Sequence, residues 1–317
     1  MKCGKGALVA PFLLRASGFR GRTVAHGNDR GIAVSLSISG IISQTFSMTM
    51  QRIGSLLGVW AVYFGLQLLL VFLMFGVMGG TFMMAAGMES PLAMGAGAIL
   101  TMILVYVAYL LLYMAQTASL VHNASPVHDP SLGDSITAGF RAMPTLLGLA
   151  LLLFVAYIVA LFAIGIVGAI FSLAGDAGSV LFLIAVFLGM IYISCRLALM
   201  LPVIAVDGVG NPITAIKRSW SLTSGHVGKI FVVILLFAVI VTLAFLALFA
   251  LMGGSMMGLA GSAAGMDAAG ASIGAAMIVF FIGFLLLMIL MALVSAAFMA
   301  VLHSSLVGPE AVAETFA

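Results

Sequence analysis

The sequence predicts an all-α, polytopic membrane protein with six transmembrane helices, and three observations predict it. Hydrophobic residues make up 64% of the 317 residues, and only 7% of the residues are charged. The mean hydropathy is +1.33. A soluble domain carries about 25% charged residues. A chain as apolar as this one needs the bilayer as its solvent.

Six apolar runs are long enough to cross a hydrocarbon core of roughly 30 Å, which takes about 20 helical residues. We expect the sixth run, which is longer than a bilayer requires, to tilt or to project beyond the lipid. The six predicted spans cover residues 55–79, 92–118, 144–173, 179–205, 230–257 and 272–302.

The charged residues separate by sign between alternate loops. All twelve Lys and Arg lie in the N-terminal segment, between spans two and three, or around the segment that joins spans four and five. The other three loops contain only the acidic residues Glu89, Asp176 and Asp267. The positive-inside rule therefore predicts that both termini are cytoplasmic. The net charge of +3 indicates membrane topology rather than a nucleic-acid footprint, so no nucleic-acid partner is predicted.

Three segments are predicted. Residues 1–34 are polar, basic and Gly-rich for much of their length, which favours a disordered tail; alternatively, the native chain starts near Val34 and the tail is mis-assigned. Residues 35–309 form the six-helix membrane domain, and residues 310–317 form a cytoplasmic C-terminal tail.

A repeated pattern precedes each odd-numbered span. The pattern Ile-x3-[Phe/Trp]-x7-Gly occurs three times, beginning at Ile42, Ile136 and Ile216. Internal repeats indicate repeated architecture. The repeat predicts three units, each an amphipathic interfacial helix followed by a transmembrane hairpin.

Local signals support the three amphipathic helices. Asn211 is a good N-cap, and Pro212 suits the first helical position. Apolar residues recur at helical spacing on one face in every unit, and such helices lie in the membrane interface with the apolar side down. The predicted apolar faces consist of Ile38, Ile42, Phe46 and Met50; of Leu132, Ile136, Phe140 and Met143; and of Ile213, Ile216 and Trp220.

The stretch from Arg196 to Ile230 resembles a known family. Its carrying features are an Arg late in a span, Pro202 six residues on, Asp207-Gly208, and the run AIKRSWSLTSG. These features resemble the membrane-domain family of glycerophosphoryl diester phosphodiesterase and the related YciC-type, uncharacterised bacterial inner-membrane proteins. The resemblance implies a bacterial inner-membrane protein without the phosphodiesterase barrel of some relatives. It implies no catalytic residue.

The candidate site residues surround the same stretch, and each has two interpretations. Arg196 is the basic residue inside a span, which favours a functional role; it either pairs with Asp207 or reaches the interface, or it binds a ligand or lipid headgroup. The basic residues near Trp220 either hold anionic headgroups or are ordinary positive-inside charges. The candidate headgroup or interface residues are Arg196, Asp207, Lys217, Arg218, Trp220, His226 and Lys229.

The sequence contains no motif that predicts a catalytic residue, a metal site or a cofactor. We therefore expect a non-enzymatic membrane protein, a lipid-associated accessory or scaffold whose partners are membrane lipids, with anionic headgroups as the candidates. The alternative is a transporter or channel for a small or hydrophobic solute, although transporters commonly place polar groups at the midplane. The sequence predicts no particular substrate, oligomeric state or protein partner.

Overall fold

The computed structural model describes residues 37–85, 91–126, 130–261 and 266–315. These ranges are helical apart from short turns and loops, and they contain no strand. The predicted tail at residues 1–34 lies outside them. The described helices are α1 (Ile38–Gln51), α2 (Ile53–Ala85), α3 (Pro91–Asn123), α4 (Leu132–Ser172), α5 (Gly175–Leu197), α6 (Met200–Ala205), α7 (Pro212–Leu222), α8 (Val227–Gly261) and α9 (Met266–Thr315).

The described residues contain six helical stretches that are long and apolar enough to span a membrane, so the all-α, multi-pass fold is confirmed. Each predicted span overlaps one of them. The six stretches are Ile53–Val77, Ile99–Asn123, Leu132–Ser172, Gly175–Ala205, Val227–Leu251 and Met277–Val307.

Two prolines lie within the membrane-spanning stretches and have different effects. The third predicted span begins at Pro144, but α4 runs through this residue as one helix of 41 residues, about 60 Å long. The fourth span is interrupted just before Pro202, where α5 ends at Leu197 and α6 begins at Met200. A helical Pro cannot donate to the carbonyl four residues earlier and its ring crowds that carbonyl. For Pro202 that carbonyl belongs to Ala198, at the break.

The buried core of the described residues lies at one end of the bundle. The odd-numbered spans bury side chains near their starts, and the even-numbered spans bury them near their ends. The opposite halves expose large apolar side chains such as Phe162 and Leu183, which suits contact with lipid. The fully buried large side chains are Leu56, Val59, Tyr63, Val121, Leu199, Val203, Ile230, Val233, Leu293, Phe298, Val301 and Leu302.

The three repeated segments contact the core through the same register of small or polar residues. The aromatic residue of the repeat is similarly exposed in each segment, at 42% for Phe46, 42% for Phe140 and 41% for Trp220. The residue immediately before it is buried in each segment: Thr45, Gly139 and Ser219. The predicted apolar faces therefore turn outward at their aromatic residues, and the adjacent faces pack against the protein.

Hydrogen bonds between side chains join α2, α3 and α4 inside the core. The Tyr63 hydroxyl lies 2.9 Å from Ser119 Oγ, and Gln67 Nε2 donates to Gln116 Oε1 at 3.0 Å. Asn123 Nδ2 donates to Ser135 Oγ at 3.0 Å. Bonds of this kind between membrane helices average about 0.6 kcal/mol each, so the network helps to hold the three helices together.

α4 approaches α3 closely at Gly139. A Cβ at Gly139 would collide with the side chain of Ser119 and the carbonyl of Ala115. We expect Gly139→Ala to lower the free energy of unfolding by about 1–3 kcal/mol, as overpacking does. Thermal unfolding of the detergent-solubilised protein measures the effect.

Gly165→Ala is the matched control, because Gly165 lies in the same helix and a Cβ there meets nothing within 4 Å. Alanine replaces a residue of poor helix propensity at that position, so stability should stay level or rise by up to about 1 kcal/mol. Equal unfolding temperatures for the two variants would contradict the tight approach.

Candidate functional site

The helix α7, which carries three of the seven candidate residues, begins as the sequence predicts. Asn211 is the N-cap, and its side-chain oxygen accepts hydrogen bonds from the backbone N–H groups of Ile213 and Thr214 at 2.9 and 3.4 Å. Pro212 occupies the first turn, where its missing N–H has no cost. The capping fixes where α7 begins and hence which residues face the bundle.

The face of α7 that packs on the bundle carries short side chains. Ala215, Ser219 and Thr223 are all buried. Ser219 Oγ donates to the backbone carbonyl of Arg196 at 2.8 Å, and Thr223 Oγ1 lies 3.5 Å from the same carbonyl. The break before α6 leaves the last carbonyls of α5 without helical N–H partners, and these hydroxyls supply one replacement. The end of α5 is therefore fastened to α7.

The side chain of Arg196 also joins the end of α5 to α7. Its Nε and Nη2 donate to the hydroxyl of Tyr192 at 3.0 and 2.9 Å, and its Nη1 donates to the carbonyl of Trp220 at 3.0 Å. Its Cζ lies 4.8 Å from the centre of the Trp220 ring, a cation–π distance. All three side-chain nitrogens therefore have partners within the protein, which favours the structural interpretation of Arg196.

Asp207 is paired with residues other than Arg196, so the structure does not form the Arg196–Asp207 pair that was one alternative for Arg196. Its Oδ2 lies 2.8 Å from Nε of Arg218 and 3.2 Å from Nε2 of His303. Arg196 is held on Tyr192 and Trp220, and α6 separates its helix from Asp207. His303 belongs to α9, almost a hundred residues along the chain, and periodicity gave no signal for this contact.

The remaining candidate residues have few partners. Lys217 and Lys229 are exposed and make no hydrogen bond or ion pair with the described part of the chain. His226 is half-buried, and its Nδ1 lies 3.1 Å from the carbonyl of Ser224. Of the predicted cations, Arg196 and Arg218 have internal partners, which leaves the two lysines available to bind other molecules.

A cleft of about 480 Å³ lies beside this cluster, and sequence reasoning did not identify it. It lies between the end of α3, the first four turns of α4 and the loop from α6 to α7. The available signal was the spacing of Asp134, Thr137, Arg141 and Thr145, which places them on one face of α4. Its lining consists of His122, Asp134, Thr137, Ala138, Arg141, Ala142, Thr145, Ile204, Ala205, Val206, Gly208, Val209 and Gly210.

Residues 166–315 match the family model described as the membrane domain of glycerophosphoryl diester phosphodiesterase. The predicted family resemblance is confirmed over that range. The matched range contains every candidate residue from Arg196 to Lys229 and also His303, so the Arg196 contacts and the Asp207 pairs all lie within it. The α4 side of the cleft lies outside it. Comparison with curated proteins and with solved structures found no match.

We expect Arg196→Ala to loosen α7 from the end of α5. The substitution removes three donor contacts and the stack on Trp220, so the free energy of unfolding should fall by about 1–3 kcal/mol. Fluorescence can follow the change locally, because the chain has two tryptophans and Trp60→Phe leaves only Trp220. Acrylamide should quench Trp220 more strongly in the variant.

The control is Lys217→Ala. Lys217 lies on α7, as Trp220 does, but it has no partner among the described residues. Its Trp220 emission and quenching should equal those of the parent. Unchanged quenching in Arg196→Ala would show that the stack does not hold α7.

A second prediction concerns the two partners of Asp207. Their side chains differ in exposure, at 4% for His303 and 46% for Arg218, while that of Asp207 is 14% exposed. Asp207→Ala leaves the buried histidine without this partner, so we expect a loss of about 1–3 kcal/mol of unfolding free energy. Arg218→Ala removes a half-exposed ion pair and should cost less than about 1 kcal/mol.

Thermal unfolding of both variants in one detergent checks this order. A loss in Arg218→Ala as large as that in Asp207→Ala would mean that the ion pair, and not the buried histidine contact, supplies the stabilisation.

Proposed function

We propose that the protein is a non-catalytic integral membrane protein that associates with anionic lipids, as an accessory or scaffold in the inner membrane. The observation that carries the proposal is the exposed surface of α7 and the start of α8. Lys217 on α7 and Lys229 on α8 are exposed and have no partner among the described residues, and Lys217 lies within about one turn of the exposed side chains of Ile213 and Trp220. Exposed apolar residues beside unpaired cations are typical of a helix in the membrane interface.

The common register of the three repeated segments supports an architecture of three equivalent units. In each unit an interfacial segment would lead into a transmembrane hairpin. The contacts of α2 with α3, α4 with α5, and α8 with α9 support the three hairpins. In the second unit the interfacial segment is the first part of α4 and not a separate helix.

The distribution of charge supports an orientation in which both termini are cytoplasmic. Lys217, Arg218 and Lys229 lie at the end of the bundle that contains the buried core. Cytoplasmic loops carry the excess of Lys and Arg, and the cytoplasmic leaflet has a negative surface potential that attracts basic segments. The core end and the α7 surface would therefore face the anionic leaflet.

An apolar crevice next to the candidate site supports contact with lipid chains. The crevice has a volume of about 510 Å³ and lies between α5, α8 and α9. Phe187, Ile191, Phe231 and Met299 contribute to its lining. Lys229 lies just before the α8 residues of this lining. An anionic headgroup at Lys229 would place an acyl chain close to the crevice.

Removing the two free charges tests the proposal. Each Lys near an anionic leaflet contributes about 1 kcal/mol, so Lys217→Gln/Lys229→Gln should retain phosphatidylglycerol roughly thirty-fold less strongly. Native mass spectrometry can compare the lipid retained after exchange into mixed phosphatidylglycerol and phosphatidylcholine.

Arg218→Gln is the matched control, because it removes a charge that Asp207 already neutralises. It should change the retained phosphatidylglycerol much less than the double variant does. The proposal would be overturned by equal retention in the parent and the double variant, or by an equal loss in the control.

A further inference from the structure

The cleft beside α4 contains two opposite charges that are not paired with each other. Asp134 and Arg141 both line it, seven residues apart on one face of the helix, which separates their backbones by about 10 Å. Arg141 makes no hydrogen bond or ion pair with any residue in the described ranges. A cation and an anion that face one cleft at this separation can be bridged by a ligand that carries both charges.

The carboxylate of Asp134 retains an unused oxygen. Ser131 caps α4, and its Oγ and backbone N–H donate to Oδ2 of Asp134 at 2.7 and 3.2 Å. The other oxygen, Oδ1, accepts no hydrogen bond from the described residues. The capping box thus holds the carboxylate in place and leaves one oxygen for a cationic group.

The Arg141 end of the cleft also provides backbone donors. Thr145 lies one helical turn after Arg141, and its Oγ1 donates to the carbonyl of Gly210 at 3.1 Å. This bond holds the loop from α6 to α7 beside α4. The backbone N–H groups of Gly208, Val209 and Gly210 donate no hydrogen bond within the described part of the chain. A guanidinium and a loop with unpaired N–H groups that line one cleft suit an anionic group such as phosphate.

His122, at the end of α3, also lines the cleft. Its Nδ1 lies 3.0 Å from the carbonyl of Ala205, so this ring joins α3 to α6 at the cleft wall. The cleft therefore has a positive end at Arg141 and the loop, a negative end at Asp134, and a wall that connects them.

The order of these charges matches the order of groups in a phospholipid. The apolar, lipid-exposed part of α4 begins C-terminal to the cleft, with Leu151 and Phe154. Arg141 is thus nearer the hydrocarbon, and Asp134 is farther out. We propose that the cleft binds an aminoalkyl phosphate, the headgroup of a zwitterionic phospholipid, with its phosphate at Arg141 and the loop and its ammonium at Oδ1 of Asp134. This site goes beyond the anionic-lipid surface on α7 and does not rest on it.

Binding to the full-length protein in detergent tests the charge requirement. The probes are phosphoethanolamine, inorganic phosphate, ethanolamine and, in nanodiscs, phosphatidylethanolamine against phosphatidylglycerol. We expect either single-charge compound to bind about ten-fold or more weakly than the zwitterion, because each lacks one charge-assisted contact. Isothermal titration measures the soluble probes, and native mass spectrometry measures the retained lipid.

Two variants separate the cleft from the α7 surface. Arg141→Gln should reduce zwitterion binding about ten-fold or more without lowering the unfolding temperature, because Arg141 has no partner to lose among the described residues. Lys217→Gln, which removes an exposed cation outside the cleft, should leave zwitterion binding unchanged and reduce phosphatidylglycerol retention instead. Failure of one site thus leaves the other measurable.

The titration of soluble probes and the lipid-retention measurement together show whether the cleft binds the free aminoalkyl phosphate or the headgroup of a membrane lipid. Arg141-dependent binding of both phosphoethanolamine and the lipid supports the site for the free compound and the headgroup alike, and Arg141-dependent retention of the lipid alone assigns it to the membrane lipid. Three results would overturn the proposal: no Arg141-dependent binding in either arm, equal binding of phosphate and phosphoethanolamine, or preferential retention of phosphatidylglycerol in the cleft.

Discussion

The close contact of short side chains with the ends of the spans is the constraint on which the site depends. Gly139 and Ser219 occupy the same position in two repeated segments, and each brings its helix onto a neighbouring helix. A larger side chain at Gly139 would push α4 from α3. This separation would disturb the α4 wall of the cleft, and a similar change at Ser219 would detach α7 and displace Trp220. Packing by small residues is the usual way in which membrane helices approach one another.

The candidate charged residues at this end of the bundle fall into two groups, those that contact other parts of the protein and those that do not. Arg196 and Asp207 are engaged with other parts of the protein, Arg196 with Tyr192 and Trp220 and Asp207 with Arg218 and His303. Lys217 and Lys229 have no such partners in the described residues. The internal contacts hold α6 and α7 in position, whereas Lys217 and Lys229 keep their charge available for a ligand, as Arg141 does in the cleft.

The sequence predicted the helical class, the six spans, the start of α7 and the family, because each depends on local pattern: hydropathy, a cap or a short motif. It did not predict the break before Pro202 or the His303–Asp207 contact. The first depends on whether neighbouring side chains replace a lost backbone bond, as Ser219 does for Arg196. The second joins residues 96 positions apart, and the cleft likewise combines three elements that meet only in the folded chain.

The position of the buried core has a consequence for how the protein meets its membrane. Because the described packing is concentrated at one end of the bundle, the two leaflets contact different surfaces. Lipids of one leaflet touch a fixed arrangement of helix ends, charges and clefts. Lipids of the other leaflet meet long helices with exposed apolar side chains, and ring pairs such as Phe249–Phe280 join the two helices of one hairpin. The described part of the protein therefore presents a packed, charged surface to one leaflet and an apolar helical surface to the other.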